Sequence, residues 1–392
     1  MSTHARLRRR PLFHPALALL SVGAASLAGC TRFHASDPAL LEPSGAVVPT
    51  AAVAPRALHV FEGSTGRSLG WADVMAAASW ADAIFIGERH GDPIAHRLQL
   101  ALFEDLAAGY AGTALALEQL ERHEQHLVDG YLRGEVALDR FIDDTKSRDW
   151  AGKDTWISCY QPLVDAAREA GSPVVAANPP RDFVRRARTE GFDALAALPE
   201  SERVQFDIPI DGGGLFDRSW DDRWSAYRVR FDEIMSSAEE RDDPEVRTRL
   251  DHVFRSQSTW DATMGASMAR ALKGGAPKVV LCAGCFHIER DGGTVLQFEA
   301  RAPRARVLTI TVVDRSSDRL AAEDKGLADI VVYGAPVVRA KPAQPAEPAQ
   351  TAEPAQPAET GDASQREADA TAVGSEGEED AGFAPNASRR NR

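Results

Sequence analysis

The sequence predicts an α/β domain with a mostly parallel central sheet, helices on both faces and one or more helical insertions. Two observations carry this prediction. Short apolar runs, typical of strands buried on both faces, recur along residues 57–338. Between them lie longer amphipathic stretches whose apolar residues recur at helical spacing. Parallel strands need a crossover element between them, so this alternation favours a parallel sheet over an antiparallel one.

Each element follows from its own pattern. The first strand is Ala-Ile-Phe-Ile at 83–86, and the helix expected at 93–108 places Leu98, Leu102 and Leu106 on one face. The later strands are expected, in chain order, at 114–117, 173–177, 278–281, 306–313 and 330–333. The later helices are expected at 123–132, 181–188, 220–235 and 245–272, with a helical insertion at about 120–165 or 215–272.

The acidic charge of the chain lies in the predicted domain. Residues 57–338 hold 33 Lys/Arg against 46 Asp/Glu and so account for the whole formal net charge of −13, because the two ends cancel. A nucleic-acid-binding protein normally presents a basic patch or stripe, so we expect no nucleic-acid partner. The overall composition excludes a collagen, a coiled coil and a disulfide scaffold.

The amino-terminal residues are typical of an export signal. A cluster of arginines precedes an apolar run from Pro11 to Ala28, and the run closes on Leu-Ala-Gly followed by Cys30. A basic region, a short apolar region and small residues before a cleavage point distinguish such a signal from a membrane span. The ending resembles the bacterial lipoprotein signal, so residues 1–30 are predicted to be a signal peptide with Cys30 lipidated. The alternative is an ordinary signal peptide with a chance cysteine.

The lipidated protein would be exposed to the periplasm or the cell surface, with the outer membrane as the preferred anchoring site, because no aspartate follows Cys30. Residues 31–56, rich in Ala, Pro and Val, are predicted to be a tether. Residues 339–392 repeat Pro-Ala-Gln and Pro-Ala-Glu and then become rich in Ser, Glu and Asp. Such a composition buries too little apolar surface to offset its ordering entropy, so this tail is predicted to be disordered.

Chemically active side chains follow four of the predicted strands. They are Glu88 and His90 after the first, Glu118 after the second, Asn178 and Arg181 after the third, and His287 after the fourth. In an open α/β sheet, ligands bind at the carboxyl edge of the strands. Read singly, each residue could cap a helix or form an ion pair, but their repetition at equivalent positions favours one shared site.

The residue types at this edge indicate two kinds of chemistry. His90, His287 and Glu118 could ligate a divalent metal ion, since imidazole and carboxylate are common ligands. The same three residues, together with Glu88, could instead carry out general acid–base catalysis.

At these residues the sequence resembles the ChaN family of iron-regulated, haem-binding lipoproteins. That family belongs to a wider superfamily with the Tiki-type proteases and the erythromycin esterases. The matching segments are Ile86–His90, His96 with Gln99, Leu117–Glu118 with Gln125, Tyr160–Leu163, Ala177–Arg181, Gln257 with Trp260, Asp261 and Met264, and Ala283–His287. They span about 80–290, most of the predicted domain.

The resemblance implies haem binding at the interface of a homodimer and a role in iron acquisition. It also implies that a tyrosine ligates the iron, which is chemically suited to ferric haem, while a histidine and a lysine hold the propionates. The candidate tyrosines are Tyr110, Tyr131, Tyr160, Tyr227 and Tyr333. We expect Asn178, Arg181 and His96 to contact the cofactor.

Two other functions remain open. The Tiki-type proteases use paired Gly-x-x-His motifs and a glutamate, so the chain could be a metal-dependent hydrolase, with Asn178 and Arg181 orienting the substrate. A non-catalytic envelope scaffold is the third possibility. The four arginines of the helix after the third strand, Arg181, Arg185, Arg186 and Arg188, could meet haem propionates or simply face solvent.

Overall fold

The computed structural model describes residues 54–211 and 218–334. The predicted signal peptide, nearly all of the tether and the predicted tail lie outside these ranges. Within them, no helix combines the length and the apolar character that a membrane span requires.

An eight-stranded, mostly parallel sheet forms the centre of the molecule. Its strands are β1 (His59–Glu62), β2 (Ser68–Leu69), β3 (Ala83–Glu88), β4 (Ala114–Glu121), β5 (Val174–Asn178), β6 (Val279–Gly284), β7 (Val307–Asp314) and β8 (Ile330–Gly334). They lie in the order β2-β1-β8-β7-β3-β6-β4-β5. Only the pairings of β1, with β2 and with β8, are antiparallel. The predicted α/β class with a mostly parallel sheet is confirmed.

Helices connect the strands and cover both faces of the sheet. They are α1 (Trp71–Trp80), α2 (Pro93–Gly109), α3 (Gln125–Leu132), α4 (Leu138–Asp144), α5 (Gln161–Glu169), α6 (Arg181–Glu190), α7 (Phe192–Ala196), α8 (Glu200–Arg203), α9 (Arg218–Met235), α10 (Pro244–Lys273) and α11 (Gly293–Arg301). A single π-helical turn, Trp156–Tyr160, precedes α5. Both regions named as possible insertions contain helices, α3 to α5 before β5 and α9 with α10 before β6.

The alternation of side chains along the central strands builds a core on each face. Ile84 and Ile86 of β3 pack in the cluster on the side of α1, α2 and α5. Phe85 faces the other way and joins Met264 and Phe298, from α10 and α11. Full burial of such a side chain stabilises a fold by roughly 1.5–3 kcal/mol. The apolar runs are therefore continuous because both faces of these strands are covered.

The turn after β3 folds α2 back over the strand end. Gly91 takes a φ of 77°, a left-handed conformation that suits glycine. Asp92 then caps α2 by accepting hydrogen bonds from the backbone N–H groups of Ile94 and Ala95, and Pro93 occupies the first turn. This tight reversal brings residues of the first turns of α2 back to the carboxyl end of β3.

A buried acid closes the end of β4. The Glu124 carboxylate accepts a hydrogen bond of 2.7 Å from the backbone N–H of Glu121. Burial raises the pKa of Glu124 to about 8; the hydrogen bond opposes this rise, and the Glu121 charge adds to it. Because the folded pKa exceeds the unfolded one, the associated stability is present below pH 4.5 and is lost as the pH rises through 8.

Glu124→Gln is therefore expected to stabilise the protein at pH 9 by several kcal/mol, because each unit of pKa shift corresponds to about 1.4 kcal/mol. The amide oxygen still accepts the hydrogen bond but carries no buried charge. At pH 5 the two proteins should be equally stable. Urea unfolding at both pH values measures the difference. An equal effect at pH 5 and pH 9 would show that the charge is not the cause.

Candidate acid–base site

The Glu88 carboxylate is the centre of a buried hydrogen-bond network at the carboxyl end of β3. Its Oε1 accepts hydrogen bonds from the Tyr160 hydroxyl at 2.7 Å and from His90 Nδ1 at 3.0 Å. Its Oε2 accepts one from Gln99 Nε2 at 2.6 Å and lies 3.3 Å from His96 Nδ1. The π-helical turn supplies Tyr160 and the first turns of α2 supply His96 and Gln99. Four donors thus surround one carboxylate.

Electrostatics keep this carboxylate ionised in the interior. Burial alone would raise the pKa of Glu88, but His96 and His90 together with the Tyr160 hydroxyl lower it to about 2. Burial opposes a charge on His96 as well, yet Glu88 raises the pKa of that imidazole to about 9. Glu88 and His96 are therefore an internal ion pair, and the pair fixes the ring of His90 through its Nδ1.

A second histidine–carboxylate pair lies at the end of β6. His287 Nδ1 is 2.7 Å from Asp261 Oδ1, and Thr294 donates to the same oxygen at 2.7 Å. The Tyr227 hydroxyl donates to Asp261 Oδ2 at 2.7 Å, and Gln257 Nε2 donates to the Tyr227 oxygen at 2.9 Å. These contacts join helices α9, α10 and α11 around the short 3₁₀ turn that carries His287. They orient the ring so that its Nε2 faces away from Asp261.

Glycine makes this second pair possible. A Cβ at Gly293 would lie 2.2 Å from Asp261 Oδ2 and 2.5 Å from the Tyr227 ring. At the preceding position, a Cβ on Gly292 would lie 2.3 Å from the backbone of His287. Only glycine at both positions lets the start of α11 approach the histidine–aspartate pair so closely.

The two pairs converge on Glu118, which lies in the second half of β4, where the pairing with β5 shifts register. Its Oε2 accepts a hydrogen bond of 2.7 Å from the backbone N–H of Gly284, and its Oε1 lies 3.6 Å from His287 Nε2. His90 packs on the same glycine, since a Cβ on Gly284 would lie 3.1 Å from His90 Nε2. Glu88, His90, Glu118 and His287 thus lie close together at one edge of the sheet.

Two opposing effects act on the pKa values of His90 and His287. Burial lowers each pKa and neighbouring carboxylates raise it, and the net result is a rise for both histidines. For His90 the raising groups are Glu88, by its hydrogen bond, and Glu118; for His287 they are Asp261 and Glu118. The His90 side chain is 23% exposed, whereas those of His287 and Glu118 are 10% and 9% exposed. A reactant would therefore enter past His90, whose ring stands edge-on to Trp150 at 4.8 Å between centroids.

The two histidine–carboxylate pairs and Glu118 are arranged for proton transfer rather than for metal coordination. Within residues 54–211 and 218–334, no group of three or more His, Cys, Asp or Glu side chains is placed to hold a metal ion. The predicted metal site at His90, His287 and Glu118 is therefore not supported. The physical reason is that the Nδ1 atoms of His90 and His287 already face carboxylates, and the Glu118 carboxylate already accepts a hydrogen bond from a backbone N–H.

The predicted cofactor contacts lie apart from one another. His96 is buried, with Nδ1 held by Gln99 and Glu88. Arg181 is exposed at the start of α6, 3.6 Å from a Glu121 oxygen. Asn178 is buried at the end of the edge strand β5, and its Oδ1 has no hydrogen-bond partner in the described part of the chain. The Gln119 amide is similarly unpartnered, so this edge offers unmet polar atoms of the kind that ligands satisfy.

Sequence reasoning noted Asp261, Tyr160 and Tyr227 only through the family resemblance, the two tyrosines as candidate iron ligands, and did not assign them to the acid–base site. The spacing of Gln257 and Asp261, one helical turn apart, was the available signal, because two polar residues interrupt an otherwise apolar face of α10. Nothing in the sequence marks the π-helical turn that turns Tyr160 towards Glu88.

Four of the five tyrosine hydroxyls of the chain donate a hydrogen bond to a carboxylate. Tyr131 donates to Asp165, Tyr160 to Glu88, Tyr227 to Asp261 and Tyr333 to Asp324. Burial, with the adjacent carboxylate, raises the pKa of all four hydroxyls. The exception, Tyr110, lies near the amino end of β4, with Lys278 Nζ 4.3 Å from its ring centroid.

The fold and this site define a class of α/β protein in which histidine–carboxylate pairs gather at the carboxyl edge of a parallel sheet. Residues 74–298 match the profile of the family described as "Haem-binding uptake, Tiki superfamily, ChaN". The match covers more than half of the chain, and the chain therefore belongs to that family. No curated protein matches the sequence.

Solved structures are similar to this chain at low sequence identity. One is the cofacial haem complex of ChaN from Campylobacter jejuni, with a TM-score of 0.50 and 18% identity over 70% of this chain and 96% of that one. Another is the type III effector HopBA1, with a TM-score of 0.38 and 16% identity over 71% and 97% of the two chains. A third is a mutant erythromycin esterase EreC in its open conformation, with a TM-score of 0.35 and 13% identity over 71% and 83%. At these identities the likeness concerns the fold alone.

Proposed function

We propose that the protein is a haem-binding lipoprotein of the bacterial cell envelope that serves haem or iron uptake. The observation that carries this proposal is the family match across residues 74–298. The fold agrees with it, since a ChaN structure that binds cofacial haem has the same architecture.

Membrane attachment in this proposal comes from Cys30. The export-signal pattern and the Leu-Ala-Gly-Cys ending support lipidation there, and the acidic domain gives no electrostatic attraction to an anionic membrane. The proposal places the protein in the periplasm or at the surface, on the outer membrane by preference, as a homodimer. Mass spectrometry of the mature chain, which should begin at a lipidated Cys30, tests the anchor directly.

The tyrosine ligation implied by the resemblance does not fit four of the five tyrosines of this chain. A phenolate must lose its proton to ligate ferric iron, and Tyr131, Tyr160, Tyr227 and Tyr333 each donate that proton to a carboxylate. Removing the proton would place two negative charges in a buried contact. Tyr110 is free of a carboxylate but lies at the opposite edge of the sheet from the acid–base site.

Hemin titration tests the proposed function. Added hemin is expected to give a saturable Soret band that differs from that of hemin in buffer. The same protein in concentrated urea is the control, because the band should require the fold. A titration that shows only the spectrum of free hemin contradicts haem binding.

The two histidine–carboxylate pairs favour a second candidate function, acid–base hydrolysis of an ester or amide. Asp261 holds His287 with Nε2 towards Glu118, and Glu88 holds His90 with Nε2 towards Gly284. An imidazole oriented by a carboxylate can remove a proton from an attacking water and return it to a leaving group. Such buried, pre-oriented pairs are more than haem binding alone requires.

Chromogenic esters and amides test this second function. His90→Ala and His287→Ala are each expected to lower the hydrolysis rate at least about 100-fold, because each removes a proton-transfer group. His126→Ala, at an exposed position on α3, is the matched control and should hydrolyse normally. Equal rates in all variants would assign the hydrolysis to a contaminant.

A further inference from the structure

Strand β4 departs from regular pairing beside the acid–base site. Its pairing with β5 is regular as far as Leu117 and resumes at Glu121, which lies opposite Asn178. Between these points, three residues of β4 lie opposite a single residue of β5. An irregularity of this kind re-aims side chains and is common next to active sites. It contains Glu118, on which the two histidine–carboxylate pairs converge, and the next residue, Gln119.

Gln119 is buried without a hydrogen bond. The residue is only 2% exposed, and neither its Oε1 nor its Nε2 has a partner within residues 54–211 and 218–334. No other side chain in these ranges leaves two buried polar atoms unpartnered. Burying an amide without its hydrogen bonds costs free energy, and native structures contain few such groups. The amide of Gln119 is therefore better explained by a ligand than by a structural role.

Asn178 brings a third unpartnered atom to the same corner of the sheet. It ends β5, is 8% exposed, and its Oδ1 has no partner in the described part of the chain. Its position opposite Glu121 is two residues beyond Gln119 on the neighbouring strand. Neighbouring strands lie about 5 Å apart and advance roughly 3.3 Å per residue, so one small group can reach both amides. The unmet atoms are two carbonyl oxygens, which accept, and one amide nitrogen, which donates.

The charges at this corner disfavour an ionic ligand. Glu118 and Glu121 lie on either side of Gln119 along β4, so an anion would be repelled. Arg181, the cation at this corner, already lies 3.6 Å from a Glu121 oxygen. A cationic ligand would find Glu118 already hydrogen-bonded by a backbone N–H. An apolar ligand would leave all three amide atoms unpaired. The group that fits is neutral and carries both donors and an acceptor.

Another glutamine of this chain shows which neutral group satisfies such an amide. Gln125 Nε2 donates to the Val174 carbonyl oxygen at 2.8 Å, and its Oε1 accepts from the Ala176 backbone N–H at 2.8 Å. One side-chain amide thus pairs with a carbonyl and an N–H at once. A ligand carboxamide offers the same two partners to Gln119.

We propose that Gln119 and Asn178 form a subsite that binds a primary carboxamide group of the substrate of the acid–base site. The two carboxamide N–H groups donate to Gln119 Oε1 and Asn178 Oδ1, and the carboxamide oxygen accepts from Gln119 Nε2. The proposal rests on acid–base hydrolysis as the function, and it names a pair of residues that sets its specificity. Because Gln119 follows Glu118 directly, the carboxamide would lie beside the bond to be cleaved.

Nitrophenyl esters that differ only at the end of the acyl chain test the subsite on the full chain. One series ends in a carboxamide and the other in an isopropyl group of the same shape, each at several acyl lengths. The wild-type protein is expected to show at least about tenfold higher kcat/KM for the best carboxamide ester. Gln119→Met and Asn178→Leu should each raise KM for that ester about tenfold, with little change in kcat, because ground-state binding is lost. Neither variant should change the kinetics of the isopropyl ester.

Unfolding of the unliganded protein gives a readout that does not depend on activity. Gln119→Met removes a buried amide that has no partner, so the urea midpoint is expected to rise. Gln297→Met is the matched control, since this glutamine is fully buried but bonds both the N–H and the carbonyl of Ile210. Its midpoint should fall.

The outcomes separate the subsite from the function on which it rests. If the wild-type protein cleaves neither ester, the acid–base function is wrong and the subsite falls with it. Equal kcat/KM for the two esters keeps the function and overturns the subsite alone. A lower urea midpoint for Gln119→Met would show that the amide is paired, as by an ordered water, and would also overturn the subsite. A preference for esters ending in a carboxylate or a hydroxyl would overturn the assignment to a carboxamide.

Discussion

Glu88→Ala is expected to lower the free energy of unfolding by about 3–5 kcal/mol, the cost of breaking a buried charge pair by removing one partner. The substitution leaves the His96 imidazolium buried without its counter-ion. It also strips the acceptor from the Tyr160 hydroxyl and the Gln99 amide. These lost hydrogen bonds are part of that cost, because each buried donor left unsatisfied costs roughly 1–3 kcal/mol. Denaturant unfolding monitored by circular dichroism measures the loss.

Glu169→Ala is the matched control, since it removes an exposed carboxylate at the end of α5. Its effect should stay within about 0.5 kcal/mol. Glu88→Gln should lie between the two, because an amide keeps the shape but presents two donors to groups that are themselves donors. If Glu88→Ala costs less than 1 kcal/mol, the network does not stabilise the fold.

Gly265→Ala is expected to destabilise the protein by about 2–3 kcal/mol, at the upper end of the cost of overpacking. A Cβ at this position of α10 would lie 2.7 Å from the backbone nitrogen of Phe298 and 3.0 Å from the carbonyl oxygen of Thr294, both on α11. Backbone cannot swing aside, so the two helices must separate. Because Thr294 and Asp261 are hydrogen-bonded across this contact, the separation would also loosen the His287 pair.

Gly109→Ala makes the same chemical change where the structure leaves space. Gly109 ends α2, and an added Cβ meets no atom within 4 Å. Alanine has the higher helix propensity, so this variant should be stabilised by up to about 1 kcal/mol. Opposite signs for the two variants, measured by urea unfolding, would show that the close approach of α10 and α11 sets the cost. Like signs would contradict that explanation.

The sequence predicted the parallel strands because each is an apolar run long enough to cross a sheet that is covered on both faces. The observed strands β3 to β8 begin within one residue of the predicted starts, and β4 and β6 extend further. Strands β1 and β2 were missed, since His59–Glu62 and Ser68–Leu69 are short and lie at the antiparallel margin of the sheet. Short strands are stabilised mainly by pairing with their neighbours, and a local sequence pattern carries no information about that pairing.

The site was predictable where its residues follow strands and unpredictable where they come from helices. Glu88 and His287 lie at or just beyond strand ends and Glu118 lies in the second half of β4, so the topology alone brings them together. Asp261 reaches His287 from the middle of α10, and this contact depends on how a thirty-residue helix crosses the sheet. The metal prediction is not supported for a related reason, because residue type alone does not reveal that both imidazoles already face carboxylates.

Because β1 pairs with β8, the two ends of the described domain lie side by side and could be joined in a circular permutant. His59 and Tyr333 are directly opposed in the antiparallel pair of β1 and β8, so their Cα atoms lie roughly 4.5–5.5 Å apart. A two-residue hairpin could join the ends of the domain, and new termini could then be opened in an exposed loop. A circular permutant built in this way should fold, which would allow haem and substrate assays on a domain freed from both natural end segments.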